Sequence, residues 1–148
     1  MSVLRGVDDF ETVWHRRTVL EVDGETIDVM SIQDLVLAKK TQRDKDWPMI
    51  QRLMEQSFFL TSGIADADLA GFWLRELRTP ELLIRVASDY PEAARKSSRA
   101  AVVAALAGDV RLVSEALDEE QRNERDKDRT YWEPLKRELE QFRRNRRM

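Results

Sequence analysis

Four cations crowd seven positions, Lys39, Lys40, Arg43 and Lys45. Lys39 and Arg43 lie four apart, the spacing that puts two side chains on one helical face. A basic edge of this kind can face an anionic group. The same residues also read as a helix end, whose cations favour the last carbonyls, with Arg43 or Lys45 paired to Asp44 or Asp46. Among the carboxylates, Asp28 is a lone acid on a strand, which is usually solvated, and Glu21 lies near it without facing it. Asp66 and Asp68 read as a helix N-terminus, where carboxylates interact well with the dipole. His15 is the single histidine; a general base needs an orienting partner and a nucleophile, and the sequence nominates neither. One histidine and no cysteine exclude a multi-histidine metal site, a zinc ribbon, a disulfide framework and a thiol nucleophile. No catalytic and no metal-ligating residue is therefore assigned.

Composition narrows the classes further. The chain has 148 residues and a formal net charge of −3, from 25 basic and 28 acidic side chains. So near a balance argues against a general polyanion binder, and no strong nucleic-acid signal appears. The terminal RRNRR, residues 143–147, is explained by the preference of helix C-termini for cations. The four tryptophans (14, 47, 73 and 132) fall on helical apolar stripes, which points to core packing rather than base stacking. The longest apolar run, residues 100–107, is far short of the ~20 residues that cross a bilayer. No secretion signal opens the chain, and a cytoplasmic location is expected, consistent with the absence of cysteine.

The elements that must position these residues follow from periodicity. Phe10, Val13 and Trp14 suggest a short helix over about 8–15. RTVLEV and ETIDVM flank Asp23-Gly24, a strong signal for a hairpin with a type I′ turn. That turn sets Val22 against Glu25, Leu20 against Ile27 and Thr18 against Val29, with Leu20, Val22, Ile27 and Val29 on one face. An isolated hairpin is marginal in water, so this one is expected to pack on helices, pair with further strands, or both. Ser31 can cap a helix with Asp34 at its third position. Asp46-Trp47-Pro48 starts another, with Trp47, Ile50 and Met54 as its stripe. Leu69, Phe72, Trp73 and Leu77 form a third stripe. Thr79-Pro80-Glu81 is a cap-plus-proline start, and Tyr90-Pro91 ends that helix. Gly108-Asp109 turns the chain after an alanine-rich stretch. Residues 109–148 hold 11 basic and 11 acidic side chains, the pattern of a solvated helix laced with opposite-sign pairs. Within it, Thr130 and Glu133 read as a capping box before the stripe Trp132, Leu135, Leu139 and Phe142, which is expected to be buried by this chain or by a second copy.

Residues 6–54 carry a resemblance. GVDDFETVWHRR, the hairpin, VMSIQDLVLAKK and RDKDWPMIQRL are similar to the C-terminal part of minimal and abortive-infection-type nucleotidyltransferases, often found in toxin–antitoxin pairs. Val29, Ser31, Asp34, Leu35, Lys39, Arg43, Lys45 and Asp46 match that family's motif in order. The loop between Lys39 and Arg43 is one residue short and lacks the glycine usual before the arginine. The resemblance implies nucleotide binding at Lys39, Arg43 and Lys45. It also implies magnesium held by carboxylates from a Gly-Ser turn followed by Asp-x-Asp, since metal ions clamp the attacking and leaving oxygens. In the family those elements lie upstream of the matched segment, and here that pattern occurs nowhere in the sequence. No cofactor is therefore expected of this chain, with magnesium expected only in a longer form that supplies the carboxylates.

The fold expected is α+β and mostly helical. Residues 1–60 form a partial nucleotidyltransferase-like segment of helix, hairpin and two helices, and 61–148 form a helical extension packed on it. The function expected is that of a nucleotidyltransferase-like protein without catalysis of its own. The alternative is a non-enzymatic helical interaction protein, antitoxin-like or a scaffold partner. Either way the hairpin edge calls for a partner, a second copy of the chain or a strand from another protein.

Overall fold

A computed structural model describes residues 5–41 and 43–146. The chain is mostly helical with one two-stranded antiparallel hairpin, an α+β composition. Helix α1 (Phe10–His15) is capped by Asp9, whose carboxylate accepts the Thr12 amide at 3.1 Å. Strands β1 (Thr18–Val22) and β2 (Glu25–Val29) pair in the register set by a two-residue turn: Thr18 with Val29, Leu20 with Ile27, Val22 with Glu25. Asp23 and Gly24 take φ of 53° and 81°, the left-handed values that a type I′ turn demands at both central positions. The Ser31 hydroxyl accepts the Asp34 amide and opens α2 (Ile32–Ala38). A loop then leads into α3 (Asp46–Thr61) with Pro48 in its first turn.

Five helices complete the chain. Asp66 caps α4 (Ala67–Glu76) by accepting the Leu69 amide at 2.8 Å, and Asp68 lies in the first turn, as expected of both acids. Helix α5 (Pro80–Asp89) begins at its proline, but Thr79 does not cap it. Its hydroxyl donates to the Glu55 carboxylate on α3, which turns the side chain toward α3. The alanine-rich stretch divides at Arg99 into α6 (Pro91–Arg95) and α7 (Ala100–Leu106). Gly108, at φ 71°, makes the turn into α8 (Val110–Asn145), which Asp109 caps.

One core joins α2 and α3 to the later helices. Val36, Ile50, Met54, Trp73, Leu77, Leu83, Val86, Val102 and Val113 have no exposed surface. Trp73 is the largest of them; its indole N–H donates to the Ser57 hydroxyl at 3.1 Å and its ring meets Phe58 edge-on. Arg99 ties the far side: it donates to the Leu74 and Leu77 carbonyls at the end of α4 and to Glu120 on α8. These are the carbonyls a helix end leaves without intrahelical partners.

The hairpin, the Thr130–Glu133 pair and the last apolar stripe depart from the simplest expectation. No third strand pairs with the hairpin among the described residues, and its helix contact is confined to the α1 side: all of β1 is exposed, and so is β2 up to Val29. Thr130 and Glu133 form no capping box, because α8 runs unbroken for 36 residues with Pro134 inside it. A proline deletes only one intrahelical amide, and ion pairs hold the helix on both sides of it, among them Glu124–Lys127 and Glu133–Arg137. The stripe beyond Trp132 is not buried by the chain's own helices, leaving Leu135, Leu139 and Phe142 exposed.

Candidate functional site

The four cations of the 39–45 segment do not converge. Lys39 closes α2, and its Nζ lies 3.8 Å from the Asp46 carboxylate. Lys40 turns the other way and pairs with the half of α4 that carries Glu76, at 2.8 Å. Arg43 and Lys45 are exposed, and no ion pair forms at either among the described residues. The loop between them is folded on itself: the Thr41 hydroxyl donates to Asp46 at 2.6 Å and the Trp47 indole N–H donates to the Thr41 carbonyl at 2.9 Å. Asp46 is thus claimed by Lys39, and Asp44 by Arg125 on α8 at 3.1 Å, rather than by Arg43 or Lys45. Lys39, Arg43 and Lys45 share one loop and its flanks.

A better-formed depression lies between α1 and β2. It is a cleft of about 250 Å³ walled by Phe10, Val13, Trp14, Val29 and Met30, with Asp8, Asp9, Arg17 and Asp28 on its polar side. Phe10 and Trp14 stack at 5.7 Å, one helical turn apart. Arg17 lies over the Trp14 ring at 4.2 Å and donates to Asp28 at 2.7 Å. That contact ties the helix to the strand and occupies Asp28, so the carboxylate serves structure here. Arg16 anchors the whole unit to the body through Asp34, at 2.8 Å from Nε, and reaches Asp8 at 2.7 Å. The Arg16 guanidinium beside it holds the Asp34 carboxyl below the ordinary carboxylate range, against the opposing effect of burial.

The remaining candidates fall as follows. Glu21 sits opposite Thr26 on the exposed face of the hairpin, and His15 ends α1 in solvent. Of the tryptophans, 47 and 73 are in the core, Trp132 is half-buried with its N–H on Asp128, and Trp14 is 40% exposed, against the expectation that all four pack inside. Arg143 and Arg144 lie in the last turn of α8, while Arg147 is outside the described residues. Among the described residues no three acidic or histidine side chains gather to share a metal ion, and no helix is long and apolar enough to cross a membrane.

Sequence reasoning missed Arg16 and Arg99, two of the arginines that carry long-range ties. Arg16 is 18 residues from Asp34 and Arg99 is 21 from Glu120, and no local periodicity marks pairs so separated. The α1–hairpin cleft offers apolar walls, a fixed guanidinium and, beside them, strands with no further strand paired to them among the described residues. No protein-family model, curated protein or solved structure matches this chain.

Proposed function

We propose that the protein is nucleotidyltransferase-like, does not transfer nucleotides by itself, and works in the cytoplasm by joining its hairpin to strands of another polypeptide. The observation that carries this reading is the hairpin left two-stranded in solvent, with Leu20, Val22 and Ile27 exposed on one face. Natural sheets cover or blunt such edges, and neither strand here contains proline. The motif residues support the nucleotidyltransferase likeness through their order, and Arg43 and Lys45 are open to a phosphate. Lys39 is the weaker contributor, because Asp46 competes for it.

The test has two arms. Incubated with labelled nucleoside triphosphates and magnesium, the isolated chain transfers no label to transfer RNA or protein; metal-dependent labelling above a heat-killed control overturns the non-catalytic half. Light scattering at two concentrations, with amide exchange across residues 17–29, tests the other half. A strict monomer whose strand amides exchange as in a free peptide overturns the claim that the edge is paired.

A second reading, a helical interaction protein of antitoxin or scaffold type, draws on the exposed Leu135, Leu139 and Phe142. It separates cleanly from the first. Association lost in Leu139→Glu but kept in Ile27→Glu assigns the contact to α8 rather than to the hairpin.

A further inference from the structure

Arg78 lies between α4 and α5, two residues before Pro80, and its side chain is 5% exposed. A guanidinium has five N–H donors and keeps its charge at every accessible pH. Here Nη2 reaches Glu120 at 3.3 Å, while Nε and Nη1 are sealed from solvent and meet no acceptor among the described residues. The group lies against Trp47, 4.6 Å from the ring centre. Glu120 does not neutralise it alone, because the other carboxylate oxygen takes Arg99 at 2.9 Å. Glu120 is therefore shared by two cations, and Glu76 and Glu124 act on Arg78 without a hydrogen bond among the described residues. Burial lowers the Arg78 pKa from its ordinary value, and Glu120 only opposes that shift. Buried donors without acceptors are costly enough that native structures fill nearly all of them, with protein, water or a bound ion.

The surroundings suit an ion of one sign. Arg78 lines a polar cleft of about 230 Å³ together with Arg125, Gln51 and Gln121. Arg125 has a buried Nε that likewise meets no acceptor among the described residues, and it spends one Nη on Asp44, a carboxylate 89% exposed and able to swing away. The same cleft meets the first turn of α3, where Lys45 provides no side-chain cap and the helix presents its positive end. Against these stand Asp44 and Asp118 in the lining, with Glu76, Glu120 and Glu124 close to Arg78. They repel an extended polyanion and leave room for one oxyanion group.

We propose that this cleft binds a single oxyanion, the phosphate or carboxylate group of a small ligand, between Arg78 and Arg125. Two guanidiniums lining one cleft match the paired oxygens of either group, and the Gln121 amide adds a donor that does not depend on charge, whereas Gln51 is held by Glu55 and Thr79. The site is separate from the hairpin and does not rest on the function proposed for it.

Arginine Nε–Hε resonances of the full chain report it directly. Inorganic phosphate and acetate are titrated separately, with ionic strength held constant by chloride. Saturable shifts at Arg78, Arg125 and the Trp47 indole are expected for at least one of them; a response to phosphate alone, acetate alone or both identifies the group recognised. Arg125→Gln should weaken binding by about tenfold or more, and Gln121→Glu should weaken it through added negative charge. Both sites are partly exposed, so neither variant depends on replacing the buried Arg78. Shifts that fail to saturate and match those from chloride overturn the proposal and assign the unfilled donors to water. Wild-type affinity in both variants overturns it equally.

Discussion

Ile50 and Ile27 are the same side chain in two opposite settings: the first has no exposed surface, the second is 44% exposed. Ile50 lies on α3 in a core that draws on six other helices, whereas Ile27 lies on a hairpin whose two strands stay exposed among the described residues. The helical body is held by burial, at roughly 25 cal/mol per Å² of apolar surface removed from water. The α1–hairpin unit is held by its turn, its ladder and arginine contacts at Asp34 and Asp28. The contrast teaches that a clear secondary-structure signal and a stable tertiary position are different properties. The hairpin has the clearest local code in the chain and the least packing.

The contrast is sharpest for large side chains. Trp73→Ala should destabilise by about 3–5 kcal/mol, the range for a buried aromatic truncated to alanine, and should strand the Ser57 hydroxyl as well. A urea midpoint moved by less than a quarter of that range would mean that the body is loosely packed and the comparison false.

A smaller and pH-dependent effect belongs to the tether. Asp34 has its pKa depressed by Arg16, so its stabilising contribution is complete above the ordinary carboxylate value of about 4 and is lost as pH falls through the folded value. Asp34→Asn should therefore be less stable than wild type near neutrality, and the gap should close in acid. Parallel urea midpoints at all pH values would show that Arg16 contributes nothing as an ion-pair partner.

Gly24→Ala probes the hairpin alone. No atom lies within 4 Å of the added methyl, so its whole cost is the left-handed φ of 81°, about 1–2 kcal/mol for a residue with a Cβ. The expected result is loss of amide protection over residues 18–29 with the global urea midpoint unchanged. A shifted global midpoint would show that the hairpin is coupled to the body after all. Smallest of all, Leu139→Ala should change monomer stability by less than about 0.5 kcal/mol, as for other surface substitutions. A larger loss that grows with protein concentration would show a second copy on the stripe.

Much of this was legible from local chemistry. Asp23-Gly24 specified the strand register residue by residue, Ser31 and Asp66 specified two helix starts, and Trp47, Ile50 and Met54 specified a buried face. Each of those signals is complete within a few neighbours. Thr130 and Glu133 show the opposite case: the letters of a cap are present, but a cap needs the backbone to leave the helix, and nothing in the packing makes it do so. Of the candidate site, the identity of Lys39, Arg43 and Lys45 was readable, but their partners were not. Lys40 finds Glu76 across 36 residues, and Arg125 takes the Asp44 that the sequence alone would give to a neighbour. Ion pairs of that kind depend on how helices come together, which no single stretch of sequence encodes.

Helix α8 is also a mechanical part. Asp128 is its last buried residue, fixed by Arg5 and by the Trp132 indole, and the helix continues from there to Asn145. Seventeen residues at 1.5 Å each make a mast of about 25 Å, with Arg143 and Arg144 near its tip. A tilt of roughly 10° about Asp128 would sweep that tip through about 4 Å, so a small change at the Arg5 contact is magnified into a displacement the width of a side chain. Whatever grips the tip gains leverage on the body, and whatever loosens the root moves the arginines.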